Sequence, residues 1–211
     1  MMLKRVFDAM AAFDTGRKKA SEDYTAARKQ IQANYGDSKV GKEKLAELKA
    51  SYDTARKQAE NNGLAVVKEV FDDLEKKIND AIAAPVPADF PATLEAVKAT
   101  GSALSASEAE LYIQKYCGNY TAYRSLVSLF DGLKVCKVFP VTYDHIMHDF
   151  NRFRAYAEGF FRNSIGGYMA SLFLSENNPM RVFDAGISSF LNDGNILEYG
   201  KAVAESESDS E

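Results

Sequence analysis

Cysteine and histidine are scarce in this 211-residue chain, with two of each. Two cysteines cannot build a disulfide framework or a four-cysteine zinc site, and two histidines leave little material for His-rich metal chemistry. No run of about 18 apolar residues occurs, which excludes a transmembrane helix as the sequence reads. An excess of positive charge is missing too: 26 Lys and Arg stand against 30 Asp and Glu, a net charge of −4. That balance argues against a protein coated in basic surface for nucleic acid. Apolar residues make up 46% of the chain, enough for a core, so wholesale disorder is excluded as well. The length fits one good-sized domain, or one domain with an appendage.

The start resembles a signal peptide only superficially, because Asp8 and Asp14 interrupt the apolar residues after Lys4-Arg5. A helix with one wet face explains it better, and the expected location is the cytoplasm. Cys117 and Cys136 then read as reduced thiols, and the sequon Asn119-Tyr120-Thr121 as chance.

Charge and aromatics are unevenly spread. Residues 1–63 hold 13 basic against 9 acidic residues, and the tail 204–211 alternates four acids with three serines. Of the 24 Tyr and Phe residues, 17 lie between Tyr112 and Tyr199.

A heptad rhythm organises the first segment. Val6, Met10, Phe13, Arg17, Ala20, Tyr24, Ala27, Ile31 and Asn34 follow alternating steps of four and three. Gly36-Asp37-Ser38 then supplies a glycine for a helix end and a cap for the next helix. Leu45, Leu48, Tyr52, Ala55, Ala59, Asn62 and Val66 resume the rhythm, which continues through Val70, Leu74, Ile78 and Ala81. Two heptad helices across a short turn predict an antiparallel hairpin over 1–83, long enough to project from a small domain. An internal repeat supports the pairing: Tyr24, Ala27-Arg28-Lys29-Gln30 and Asn34 recur 28 residues later as Tyr52, Ala55-Arg56-Lys57-Gln58 and Asn62. Gly63 reads as the weakest point of the second helix, where it kinks or ends.

Pro85, Pro87 and Pro91 mark a stiff linker over 84–91. A compact, aromatic-rich helical domain is expected over 92–203, followed by a disordered acidic tail over 204–211. Within it, Pro91 opens a short helix ending near Gly101, and Ser105-Ala106-Ser107-Glu108 forms a capping box. Further helices are expected to about Gly118, from Asn119 to Gly132, and from a Thr142 cap through Phe161. The Val-rich stretch 133–141 is a candidate extended segment, and Gly166-Gly167, Pro179 and Gly194 break up the remainder. The fold class is all-α: a long, coiled-coil-like antiparallel hairpin followed by a compact helical domain.

Three constellations compete for function. Asp144, His145, His148 and Asp149 share a helix face at spacings that can hold a divalent metal or relay a proton, so a metal-dependent hydrolase is one alternative. A His-Asp phosphohydrolase needs a further His, and the chain has none, so ordinary surface ion pairs are the plainer reading. Arg28-Lys29, Arg56-Lys57 and Lys18-Lys19 could track phosphates in a nucleic-acid-binding regulator, yet acids are interspersed throughout, as on a solvated coiled-coil face. Tyr112, Tyr116, Tyr120 and Tyr123 form a stripe that suits either a core or a partner surface. No P-loop, dinucleotide fingerprint or activated nucleophile is present in the sequence, and no catalytic, cofactor or metal residue is assigned.

Two stretches carry a resemblance: Tyr35-Gly36-Asp37-Ser38-Lys39-Val40-Gly41-Lys42-Glu43-Lys44-Leu45 with its Lys/Glu/Ala flanks, and Leu104-Ser105-Ala106-Ser107-Glu108 followed by Tyr116 and Asn119-Tyr120. With them the chain resembles small helical structural and assembly proteins of tailed bacteriophages. The resemblance implies a scaffolding, assembly or accessory role in the host cytoplasm or the virion, without catalytic residues. The aromatic-rich second half departs from a typical scaffolding protein, which is more charged throughout. Alanine, tyrosine and asparagine at seam positions bury less than leucine would, so the hairpin is expected to be marginal alone. The expected function is non-catalytic protein–protein interaction, with another copy or another protein, through Tyr24, Ile31, Leu45, Leu48, Tyr52, Tyr112 and Tyr116.

Overall fold

Helix capping divides the chain into the elements seen in a computed structural model, which describes residues 1–135, 141–162 and 178–200. The elements are α1 (Lys4–Tyr35), α2 (Lys39–Ile82), α3 (Phe90–Thr100), a single 3-10 turn (Gly101–Ala103), α4 (Ala106–Tyr116), α5 (Tyr120–Leu133), α6 (Tyr143–Arg162) and α7 (Pro179–Asp193). Residues 196–200 are helical as well. The fold is all-α, with no strand among the described residues.

Local chemistry sets most of these boundaries. Gly36 takes a positive φ of 52°, closing α1, and Ser38 caps α2 by accepting from the Gly41 amide at 3.1 Å. A Cβ on Gly41 would lie 2.5 Å from the Gly36 carbonyl oxygen, so the turn needs glycine at both positions. Ser105 and Glu108 form the reciprocal capping box, Asn119 caps α5 through the Ala122 amide, and Thr142 accepts from the His145 amide at 3.1 Å. Pro179 begins α7 and Gly194 ends it at φ 61°, so those two residues bound a helix rather than interrupt one. The expected extended stretch at 133–141 falls largely on residues outside the described set, as do Cys136, Gly166-Gly167 and the acidic tail.

Internal packing groups the residues into two compact units. One comprises Met1–Leu3, Phe71–Phe153 and Glu176–Glu211; the other comprises Lys4–Val70 and Arg154–Ser175. This grouping differs from the one expected at the prolines of 84–91, since it falls within α2 and α6. The reason lies in side chains. Phe71, Leu74 and Ile78 on the last three turns of α2 are buried, with Phe71 meeting the Phe150 ring edge-on at 5.4 Å. The linker itself is tied down, because the Asn119 side-chain amide donates to the carbonyls of Ala84 at 3.4 Å and Pro85 at 3.0 Å.

In the first unit, aromatic side chains of α6 and α7 meet, Phe153 with Phe183 at 5.2 Å, and Phe183 with Tyr199 at 6.1 Å. The chain start joins this unit through the fully buried Asp184. Its Oδ1 accepts from the Met2 and Leu3 amides at 2.6 and 2.8 Å. The bonds to Oδ1 offset part of the cost of burying this carboxylate, whose Oδ2 is buried with no hydrogen-bond partner among the described residues.

In the second unit, α1 and the first part of α2 run antiparallel. Arg5 pairs with Glu69 and Tyr24 meets Tyr52, so partner numbers fall along one helix as they rise along the other. Phe13 packs edge-on against Phe160 at 6.1 Å and Phe161 at 5.1 Å, which brings the end of α6 against this pair. Gly63 does not end α2, which is continuous from Lys39 to Ile82. Its buried backbone receives the Phe161 ring, whose nearest atoms would lie 2.2 Å from a Cβ. Propensity alone marks glycine as a weak point here, and tertiary packing overrides it.

Gly63→Ala is expected to destabilise the protein by about 1–3 kcal/mol, as overpacking does. Gly16→Ala, on an exposed turn of α1 with nothing within 4 Å of the new methyl, should instead stabilise it by about 0.5–1 kcal/mol. Denaturant unfolding of both variants tests the pair, and equal effects would refute the packing role of Gly63.

Candidate interaction surface

Side-chain burial along α1 and α2 defines the surface. Val6, Phe7, Met10 and Asp14 are buried on α1, and burial on α2 resumes at Gly63, Val67 and Val70. Between them, over residues 15–62, only Gly41 is buried. Tyr24, Ile31, Leu45, Leu48 and Tyr52, all placed on the seam by the heptad reading, are half-buried. Ala55, Ala59, Asn34 and Asn62 are exposed. The two helices thus face each other along a seam whose apolar side chains remain partly open to solvent. The Tyr24 and Tyr52 rings lie 4.8 Å apart and tilted by 35°, an aromatic pair of the kind that contributes about 0.5–1.5 kcal/mol beyond area burial. Two grooves open on the seam. One is lined by Arg17, Lys18, Ser21, Glu22, Tyr52 and Arg56. The other includes Ile31, Asn34, Tyr35, Lys44 and Leu48. At the tip Tyr35 and Val40 are exposed, and the Lys44 ammonium sits 5.4 Å from the Tyr35 ring centre.

Asp14 marks where the buried stretch ends. It is 5% exposed and accepts from Arg17 at 3.3 Å and pairs with Lys18 at 2.7 Å, so its burial is compensated. Arg28, Lys29, Arg56 and Lys57 are exposed, as a solvated rod face requires.

The tyrosine stripe divides. Tyr116 closes α4 and Tyr120 opens α5, so the four phenols do not share one helix. Tyr116, expected as a partner contact, is 2% exposed and belongs to the core. Its hydroxyl donates to Asp89 at 2.9 Å, lies 2.7 Å from the Thr93 hydroxyl, and its ring meets Phe90 at 5.0 Å. Tyr123 is also core, and burial pushes its phenol up to about 12. Tyr112 stays half-buried.

The His/Asp set is equally split. Asp144, His145 and His148 are exposed, while Asp149 is half-buried and engaged elsewhere. It accepts from the Tyr199 hydroxyl at 3.0 Å and pairs with Arg152 at 2.9 Å, and His148 stands 3.8 Å away. Burial, then the Asp149 charge, raises the Tyr199 phenol far above its ordinary range. Among the described residues no group of three or more His, Cys, Asp or Glu side chains converges as a metal site. No helix among them is long and apolar enough to cross a membrane. Cys117 ends α4 half-buried, and burial raises its thiol pKa, which opposes thiolate formation.

Sequence reasoning missed the cluster around Asp89. Lys115 donates to its Oδ2 at 2.7 Å beside the Tyr116 hydroxyl, and these two bonds hold the Asp89 carboxyl below its ordinary range. The partners lie 26 and 27 residues away, so no local signal announces them. No family model, curated protein or solved structure matches the chain.

A carboxyl whose folded pKa is depressed stabilises the fold above its unfolded pKa, and loses that contribution as pH falls through the folded value. Asp89→Asn should therefore be less stable than the parent at pH 7, with the gap closing below the ordinary carboxylate range. Denaturant titrations at both pH values check this; a gap that persists in acid would show that the charge contributes nothing.

Proposed function

We infer that this chain is a non-catalytic protein–protein interaction protein that works through helix-to-helix association along residues 15–62. One observation carries the reading: this stretch of paired helix keeps its apolar seam half-open, with no buried apolar side chain along it. Helices gain most of their stability in proteins from packing an apolar face, and a two-helix pair this thin leaves that face incompletely used. A further helix laid along Tyr24, Ile31, Leu45, Leu48 and Tyr52 would bury it, in the knobs-into-holes manner that heptad spacing permits.

The assembly or scaffolding role in a tailed phage, implied by the resemblance of residues 35–45 and 104–120, is the biological setting of this proposal and rests on those motifs. The metal-hydrolase alternative loses ground because Asp149 is engaged by Tyr199 and Arg152. The nucleic-acid alternative has only the interspersed basic pairs in its favour.

Coverage of the seam is measurable by amide hydrogen exchange. Amides of residues 15–62 should exchange faster than those of α5 in dilute protein, and slow as concentration rises. Ile31→Glu with Leu48→Glu should remove the concentration effect while leaving α5 protection unchanged. Rod amides equally protected at every concentration, in parent and variant alike, would overturn the reading.

A further inference from the structure

Charge follows the division into packing units. The unit of Lys4–Val70 and Arg154–Ser175 holds 16 basic and 11 acidic residues, a net +5. The unit of Met1–Leu3, Phe71–Phe153 and Glu176–Glu211 holds 10 basic and 19 acidic residues, a net −9. Residues 15–62 supply +4 of the positive excess, from 11 basic and 7 acidic side chains, none of them buried. Arg28, Lys29, Arg56 and Lys57 make no ion pair among the described residues. Their charge is therefore presented to solvent, where it acts on whatever approaches.

We propose that the half-open rod of residues 15–62 takes a second copy of this chain as its partner, with the basic rod of one copy docking on the acidic unit of the next. The proposal rests on the reading of the rod as an association surface and adds the partner and its polarity. Two rods meeting face to face would bring +4 against +4, and like charge across an interface costs several kcal/mol. Rod against acidic unit brings opposite signs together, which favours encounter and fixes orientation. The chain's own composition thus supplies both halves of the complementarity. Such a contact uses two different patches, so it can close reciprocally about a twofold, close into a larger ring or run on as a filament.

The test is sedimentation velocity of the full chain over a wide concentration range, at about 0.02 M and about 0.5 M salt, where the screening length falls several-fold. The parent should grow beyond its 23.3 kDa monomer in low salt and return to monomer in high salt. Arg28→Glu, Lys29→Glu, Arg56→Glu and Lys57→Glu together turn +5 into −3 on that unit. This variant should need at least about tenfold more protein to associate, since rim charges set encounter and salt dependence. The same four positions changed to Gln, leaving +1, should fall between, and they keep the test decisive should the reversal impair folding.

A parent that stays monomeric in low salt overturns the proposal. So does growth that nuclease abolishes, which assigns it to nucleic acid. Association indifferent to salt and to charge reversal, yet lost in Ile31→Glu with Leu48→Glu, means that seams pair with seams; the interaction reading then stands and this inference falls. Association that neither set of substitutions alters removes both.

Discussion

Apolar burial along the two longest helices stops at Met10 going out and resumes at Val67 coming back, and the character of the second unit follows from that interval. At its lower edge two features allow close packing. Asp14 is held by Arg17 and Lys18, and Gly63 offers bare backbone to the ring of Phe161. Beyond that edge, over residues 15–62, no side chain is buried. Each fully buried large apolar side chain is worth about 1.5–3 kcal/mol, and the interval contains none. What remains is the Tyr24–Tyr52 contact, half-buried Ile31, Leu45 and Leu48, and a turn closed by Gly36, Ser38 and Gly41.

The features legible in the sequence are those that neighbours along the chain encode. The heptad steps place Tyr24, Ile31, Leu45, Leu48 and Tyr52 on one seam, and glycine, serine and asparagine signals mark the helix ends at Gly36, Ser105 and Asn119. Illegible features depend on contacts made across long sequence separations. Gly63 looks like a flaw until Phe161 arrives, and Asp149 looks like a metal ligand until Tyr199 claims it. Pro85 and Pro87 lie in the non-helical stretch between α2 and α3 and Pro91 in the first turn of α3, and the hold of Asn119 on the Ala84 and Pro85 carbonyls comes from far along the chain. Tyr116 shows the same limit: its spacing suits either a core or a partner surface, and only the distant Asp89, Thr93 and Phe90 draw it into the core.

Surface charge has little to do with how this fold is held together. The pairs Arg5–Glu69, Lys77–Asp73 and Lys98–Glu95 are solvent-exposed, and such pairs contribute about 0–1 kcal/mol. A segregation of +5 from −9 therefore has small value for stability. Its physical effect lies at longer range, in steering and orientation of encounters, where a summed field acts before any contact is made. A seam that lacks apolar filling and a rim that carries an excess of one sign are complementary properties of one surface: in the proposed association the rim would select the partner and the seam would retain it.

The internal repeat explains how such a rim arises. Its offset of 28 residues relates Tyr24 to Tyr52, and the midpoint of those two positions is Ser38, in the turn itself. In an antiparallel pair only positions equidistant from the turn meet, so among the repeated residues the two tyrosines alone face their own counterparts. Arg28-Lys29 is carried one turn toward the tip, and Arg56-Lys57 one turn toward the base. The repeat thus gathers its aromatics into a single pinning contact and spreads its basic pairs along the rod, where they do not confront one another. Like charges that would repel if paired across the seam are instead distributed over the exposed face of the rod.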